Sequence, residues 1–338
     1  MNNRDDATIN CCAECGADEG VVNLKACKSC MQAKYCNAKC QKNHWPTHKK
    51  DCKLRAAELR DEALFKDPPP KEDCPICFLP MPNKLISCVS LPPATVFSVP
   101  IYDFANAHKG LTTEGMELYY ACCGKSICKG CDYSFDQSGI GENCPFCNSD
   151  RRKTDEEEIE EMMKRVEAND PASIYLLANS YHNGTHGFQQ DQTEAIKLYA
   201  KAADLGSSKA HFNLGNIYCK GGDLKKAKFH FEAAAMAGHE GARFNIGLME
   251  GNSGNIDQAV KHLVISAAAG DYDAMHKLRL LFENGFVSRE SIDSTLAAYN
   301  NSCAEFRSEA RDAYIRAVLE MAVLEMAVLE MDENTNSI

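Results

Sequence analysis

Between residues 12 and 52, eight side chains of metal-binding type recur at fixed spacing: Cys12-x2-Cys15, Cys27-x2-Cys30, Cys36-x3-Cys40 and His48-x3-Cys52. A Cys-x2-Cys turn presents two sulfurs to one metal, and donors at i and i+4 share one helix face. Thiolates with an imidazole on a tetrahedron are a zinc donor set, and eight donors fill two closed sites. A closed site leaves no position for water or substrate, so the expected role of these metals is structural. A segment this small is expected to fold only with its metals bound. Spacing alone leaves open whether the four pairs combine sequentially or alternately. Cys11 adjoins Cys12, but only Cys12 has the x2 partner. His44 competes with His48 from four residues upstream; Pro46 is expected to break the helix between them, and the count of eight is already full.

A second array follows. Cys74-x2-Cys77 is separated by 44 residues from Cys122-Cys123-x4-Cys128-x2-Cys131-x12-Cys144-x2-Cys147. Eight cysteines again suggest two zinc ions, about four per chain in all. Adjacent cysteines chelate one metal awkwardly, so Cys88 or His108 is an alternative to Cys122 or Cys123.

The elements that must hold these donors show in composition. Seventeen of the 19 cysteines precede residue 148. The first ten residues are polar and charged, so no signal peptide is expected, and no apolar run approaches the ~20 residues of a membrane span. Clustered cysteines in a chain without secretion signals imply a reducing compartment, cytoplasm or nucleus. The formal charge of −11 argues against a general nucleic-acid binder. Residues 11–60 carry ten Lys/Arg against five Asp/Glu, an excess that zinc-bound thiolates largely offset.

A short helix is expected over roughly 53–66, ending at three prolines, 68–70, that make a stiff spacer. The second array, 74–147, reads as loops and short strands, with residues 118–123 a strand entering the metal ligands. Thr154 with Glu157 forms a capping box, and Ile159, Met162, Met163 and Val166 make one apolar stripe behind it. From 171 the chain repeats: Gly206, Gly238 and Gly270 are 32 apart, as are Leu214, Ile246 and Leu278. Leu177 precedes Leu214 by 37, which places a five-residue insertion in the first copy. Small residues (Ala210, Ala227, Ala242, Ala259) stand where helices must approach closely. Units this short bury their apolar faces only by stacking, which predicts an α-solenoid capped by a fourth, incomplete copy. The end repeats AVLEM three times; period five makes no helical seam, so residues 317–338 read as a low-complexity tail. The expected segments are 12–52, 74–147, 155–316 and 317–338. The fold class is small zinc-stabilised domains followed by an α-solenoid of helix pairs.

Three resemblances sharpen this. The first array, with Tyr35, Gln41 and Trp45 in place, resembles the MYND zinc finger. That family interleaves its ligands, which implies one zinc on Cys12, Cys15, Cys36 and Cys40 and another on Cys27, Cys30, His48 and Cys52. It also implies a protein-binding module that takes proline-rich peptides at Gln41 and Trp45; such peptides suit a groove because their extended form is already ordered. Residues 170–285 resemble Sel1-like repeats, relatives of the tetratricopeptide repeat, in their A-x3-LG-x2-Y…AA-x2-G pattern. The second array resembles a RING finger, which implies one zinc on Cys74, Cys77, Cys128 and Cys131 and another on Cys122, Cys123, Cys144 and Cys147.

In RING ligases the residues matching Ile76 and Pro145 touch a ubiquitin-conjugating enzyme. Lys125 stands where a histidine is expected and Asn148 where a basic residue is usual, so ligase activity is the alternative to an adaptor without catalysis. Some MYND proteins carry a SET methyltransferase domain, but no stretch here resembles its motifs.

Overall fold

The computed structural model describes residues 11–67, 69–81, 117–139, 141–318 and 320. Cys88, His108 and most of the AVLEM tail lie outside these residues. The chain divides at Asp67 into two compact units.

In the first unit a two-residue ladder, β1 (Lys25–Ala26) against β2 (Lys34–Tyr35), precedes one long helix, α1 (Ala38–Leu64). Asn37 caps α1, its side chain accepting from the Cys40 N–H at 2.9 Å. The expected break at Pro46 does not occur, and the helix expected from 53 is the second half of α1. Proline removes one backbone donor. Cys36 and Cys40 at one end and His48 and Cys52 further along tie both sides of Pro46 to the finger, and Thr47 Oγ1 donates to the His44 carbonyl at 2.9 Å. The core is Cys12, Cys27, Cys30, Ala33, Tyr35 and Cys52. Four of these six are cysteines, so burial alone gives little reason to fold without metal.

The second unit opens with an antiparallel hairpin, β3 (Glu117–Tyr120) and β4 (Lys125–Cys128), followed by α2 (Lys129–Gln137). Next come α3 (Asp155–Glu167), with both bonds of the Thr154–Glu157 capping box formed, and the helix pairs. The pairs are α4 (Pro171–Asn183) with α5 (Gln192–Asp204), α6 (Ser208–Lys220) with α7 (Leu224–Met236), and α8 (Glu240–Asn252) with α9 (Ile256–Ala268). A shorter helix, α10 (Tyr272–Glu283), and a longer one, α11 (Arg289–Glu305), pack over α9 and close the stack. Residues 309–318 are helical too.

The repeat register follows from burial. Leu177, Leu214, Ile246 and Leu278 are buried at equivalent positions, and so is a second series, Tyr199, Phe231 and Leu263. Gly206, Gly238 and Gly270 turn the chain between repeats with φ of 96°, 87° and 94°, a region that favours glycine. On α3, Val166 packs into the first repeat, whereas Met163 faces solvent, so the apolar stripe is narrower than expected.

Gly215 lies where α6 meets the Phe231 ring: a Cβ there would sit 2.5 Å from the ring, against 3.7 Å from the nearest atom at Gly251. Gly215→Ala should therefore destabilise the solenoid by about 1–3 kcal/mol through overpacking. Gly251→Ala should be neutral or stabilising by up to about 1 kcal/mol through helix propensity. Thermal melts followed by far-UV circular dichroism test both; equal effects would contradict this packing.

Candidate metal centres

Four CxxC turns share one backbone geometry. The N–H four residues after the first cysteine returns to that cysteine's carbonyl, at 2.8 Å for Gly16 on Cys12, 2.9 Å for Met31 on Cys27, 2.8 Å for Phe78 on Cys74 and 2.9 Å for Asn148 on Cys144. All four returning residues have positive φ, between 56° and 73°. For the three that are not glycine, this costs on the order of 1 kcal/mol each. Six further donors come from helices: Cys36 and Cys40 flank the start of α1, His48 and Cys52 lie further along it, and Cys128 caps α2 while Cys131 lies in its first turn. Cys122 and Cys123 share the turn between β3 and β4, where Gly124 has φ 72° and its N–H reaches the Tyr120 carbonyl at 2.8 Å.

These turns bring sixteen donors into four groups: Cys12, Cys15, Cys36 and Cys40; Cys27, Cys30, His48 and Cys52; Cys74, Cys77, Cys128 and Cys131; Cys122, Cys123, Cys144 and Cys147. Within each group all donor atoms lie within 4.8 Å of one another. In both arrays the pairs alternate, the first with the third and the second with the fourth. Sulfur separations of 3.5 Å (Cys36–Cys40, Cys122–Cys147), 3.7 Å (Cys15–Cys36, Cys27–Cys52, Cys123–Cys144), 3.8 Å (Cys77–Cys128) and 3.9 Å (Cys74–Cys131) recur. They exceed a disulfide bond by well over 1 Å. They match the edge of about 3.8 Å that a tetrahedron with 2.3 Å Zn–S bonds requires. Cys30 Sγ and His48 Nε2 are 3.4 Å apart. The donor sets fit zinc.

His44 joins no group. Its Nδ1 lies 2.9 Å from the Tyr35 hydroxyl, and its ring stacks on His48 at 5.5 Å. Cys11 is also outside the groups. Lys125, which is no metal donor, places its ammonium over the Phe146 ring at 4.9 Å. Asn148 occupies the left-handed position of its turn, which asparagine tolerates better than a long basic side chain. Gln41 Nε2 donates towards Cys27 Sγ at 3.9 Å. Trp45 packs edge-on to His48 at 6.3 Å and keeps 40 % of its surface exposed.

The thiols of one cluster do not ionise alike. Backbone N–H groups of Cys15 and Cys36 bring Cys12 down to about 6. A hydrogen bond from Cys128 brings Cys74 down to about 4, and Ser149 brings Cys147 to about 6. Their neighbours go the other way: the bond with Cys36, then burial, pushes Cys40 up to about 12, and burial pushes Cys131 and Cys122 to about 12. Like charges this close hold protons on some of the thiols until a dication replaces them.

The second array is braced along the edge of the solenoid where successive repeats join. Tyr119 donates to Asp170 at 2.7 Å, at the start of α4. Arg165 donates to the Ala121 and Cys122 carbonyls at 3.1 and 3.3 Å. Glu117 pairs with Lys209 on α6. Burial works to raise the Glu117 pKa, but the Lys209 charge outweighs it and holds the carboxyl below its usual range. Lys71 reaches Glu240 and the Ala269 carbonyl at 3.4 Å each and lies over the Phe306 ring. Finally, Arg311 reaches the Cys74–Cys77 turn, donating to the carbonyls of Leu79 and Pro80. Nothing local in the sequence marks Lys71, Arg165 or Arg311, because the groups to which they donate across this edge lie 43 to 234 residues away.

Two pairs of alternating cysteine-rich clusters that fit zinc, followed by a stack of helix pairs, define the architecture. Residues 12–52 match the MYND finger family, and residues 171–207, 208–239 and 241–271 match the Sel1 repeat. Over 34 residues the chain is 56 % identical to histone-lysine N-methyltransferase SMYD3 of Homo sapiens, and over 33 residues it is 52 % identical to the Mus musculus protein of that name. Each match spans 10 % of this chain and 8 % of the relative. Among solved structures, it is similar to a Sel1 repeat protein from Oxalobacter formigenes, at TM-score 0.41 and 23 % identity, covering 53 % of this chain and 71 % of that one. It is also similar to c5321, a protective antigen of uropathogenic Escherichia coli strains displaying an SLR fold, at TM-score 0.37 and 21 % identity, covering 57 % of this chain and 44 % of that one. No described helix is long and apolar enough to cross a membrane.

Zinc loading of the metal-free chain should expel more than one proton per metal, read by an indicator dye in weak buffer. The sign follows from the raised thiols: they are protonated at neutral pH and must lose that proton to bind, so acid favours metal release. Uptake with no proton release would contradict the thiol assignment. Cys36→Ser should abolish folding of residues 11–64 while the second array keeps its zinc, measured by elemental analysis and circular dichroism. Full retention of helix α1 would overturn that expectation.

Proposed function

We propose that this chain is a zinc-binding adaptor in which the MYND finger takes short proline-rich peptides and the solenoid holds a protein partner. Each array would carry two zinc ions, on the sixteen donors named above, as structural rather than catalytic metals. The segments 12–52, 74–147 and 155–316 are the working units, with 317–338 a tail that begins inside the helical residues 309–318. Thiols that must stay reduced favour a reducing compartment, cytoplasm or nucleus. The observation that carries the proposal is Trp45: an exposed indole one helical turn after Gln41 on α1, packed edge-on to the His48 ring. A shared span of 34 residues has the size of one zinc finger, so the methyltransferase activity of SMYD3 is not carried over.

Trp45 is the only tryptophan, so its fluorescence would report on the proposed peptide site. Titration with proline-rich peptides should shift its emission, and Trp45→Ala should weaken binding about tenfold or more without changing zinc content, as for a buried aromatic anchor. Peptides that bind by calorimetry with no change in emission would sink this use of the finger.

One observation favours a second role. The alternating clusters of the second array leave Ile76, between its first two cysteines, 37 % exposed. That is the arrangement a RING-type ubiquitin ligase would present to a conjugating enzyme. An autoubiquitination assay should then give chains that Ile76→Ala abolishes; no chains with any of several conjugating enzymes would leave the adaptor role alone.

A further inference from the structure

Arg311 is 1 % exposed, among the largest fully buried side chains of the chain. A buried guanidinium is costly unless it is paired and hydrogen-bonded. Among the described residues no carboxylate pairs with it. Its Nη1 donates to the Pro80 and Phe306 carbonyls at 2.8 and 2.9 Å, and its Nη2 donates to the Leu79 carbonyl at 3.1 Å and towards Cys77 Sγ at 3.7 Å. The group it meets instead is Cys77 Sγ of the Cys74–Cys77–Cys128–Cys131 cluster, which would be a thiolate with zinc bound. Four thiolates around a zinc dication carry a net charge of about −2, half of which a buried guanidinium would offset.

The same contact is closed from the other side. Gly130 lies between Cys128 and Cys131, and a Cβ there would sit 2.7 Å from the Arg311 backbone. Tyr314, one helical turn on, meets Tyr133 of α2 edge-on at 6.1 Å. The helical residues 309–318 thus seat against both turns that feed this cluster.

We propose that Arg311 is the positioning residue of the Cys74–Cys77–Cys128–Cys131 site, supplying the charge and the N–H···S donor that retain its metal. Seating of helix 309–318 and metal retention at this site are then one coupled equilibrium: whatever loosens the helix speeds metal loss, and loss of metal releases the helix. The proposal rests on zinc binding by the second array. Partners of a liganding group commonly set metal affinity by 10- to 100-fold.

The test uses the full zinc-loaded chain, with zinc transfer to a chromogenic chelator followed in wild type, Arg311→Lys and Arg311→Met. Arg311→Met should release one zinc per chain about tenfold faster and leave the others unchanged, with Arg311→Lys in between. In the cobalt-substituted chain, the thiolate-to-metal charge-transfer band should shift in Arg311→Met, a signature that loss of packing alone would not give. If Arg311→Met loses its helical signal, Tyr314→Ala, which loosens the helix and keeps the guanidinium, should show the same selective acceleration to a smaller degree. Wild-type kinetics, or equal acceleration of every zinc, would overturn the role of Arg311. A wild-type chain holding only two zinc ions would instead remove the zinc assignment on which it rests.

Discussion

Convergence of thiolates on a common point is the constraint from which both cysteine-rich segments are built. Four of the six core residues of the first finger are cysteines, as are four of the seven in the core around β3, β4 and α2. Residues that must ionise to bind metal thus take the place of aliphatic packing. The turns that present them put Met31, Phe78 and Asn148 in left-handed backbone, a conformation that metal ligation would offset. Without a dication the donors conflict: Cys74 ionises readily while burial pushes Cys131 up and the Cys74 contact raises Cys128 further. With one bound, the conflict would become the bond that holds the fold.

The solenoid solves the same problem of a small unit by stacking. Tyr199, Phe231 and Leu263 fill equivalent sites in successive repeats, and Gly215 lets the Phe231 ring reach the α6 backbone. The two solutions meet in the second unit. Tyr119, Glu117, Lys71 and Arg311 fasten the second array to the start, middle and end of the repeat stack. The array is thereby part of the solenoid's edge rather than a finger on a tether.

What the sequence reveals divides by range. Ligand spacing, the 32-residue period, the Thr154 capping box and the insertion before Asp191 are local patterns, and each is legible in one dimension. Passage of α1 through Pro46 is not, because propensity argues for a break and only the cluster donors on both sides hold the helix. Asn148 looks like a missing basic residue until the turn shows that a left-handed position is what it fills. Arg311 is invisible for a simpler reason: nothing local marks an arginine whose partners, Cys77, Leu79 and Pro80, lie more than 230 residues upstream.

Four closed, sulfur-rich metal sites would hold these segments together. Zinc K-edge X-ray absorption on the purified full chain tests this most directly. Fifteen thiolates and one imidazole should give a four-coordinate shell dominated by sulfur at about 2.3 Å. A shell rich in oxygen or nitrogen, or of higher coordination number, would mean open sites and would contradict the account.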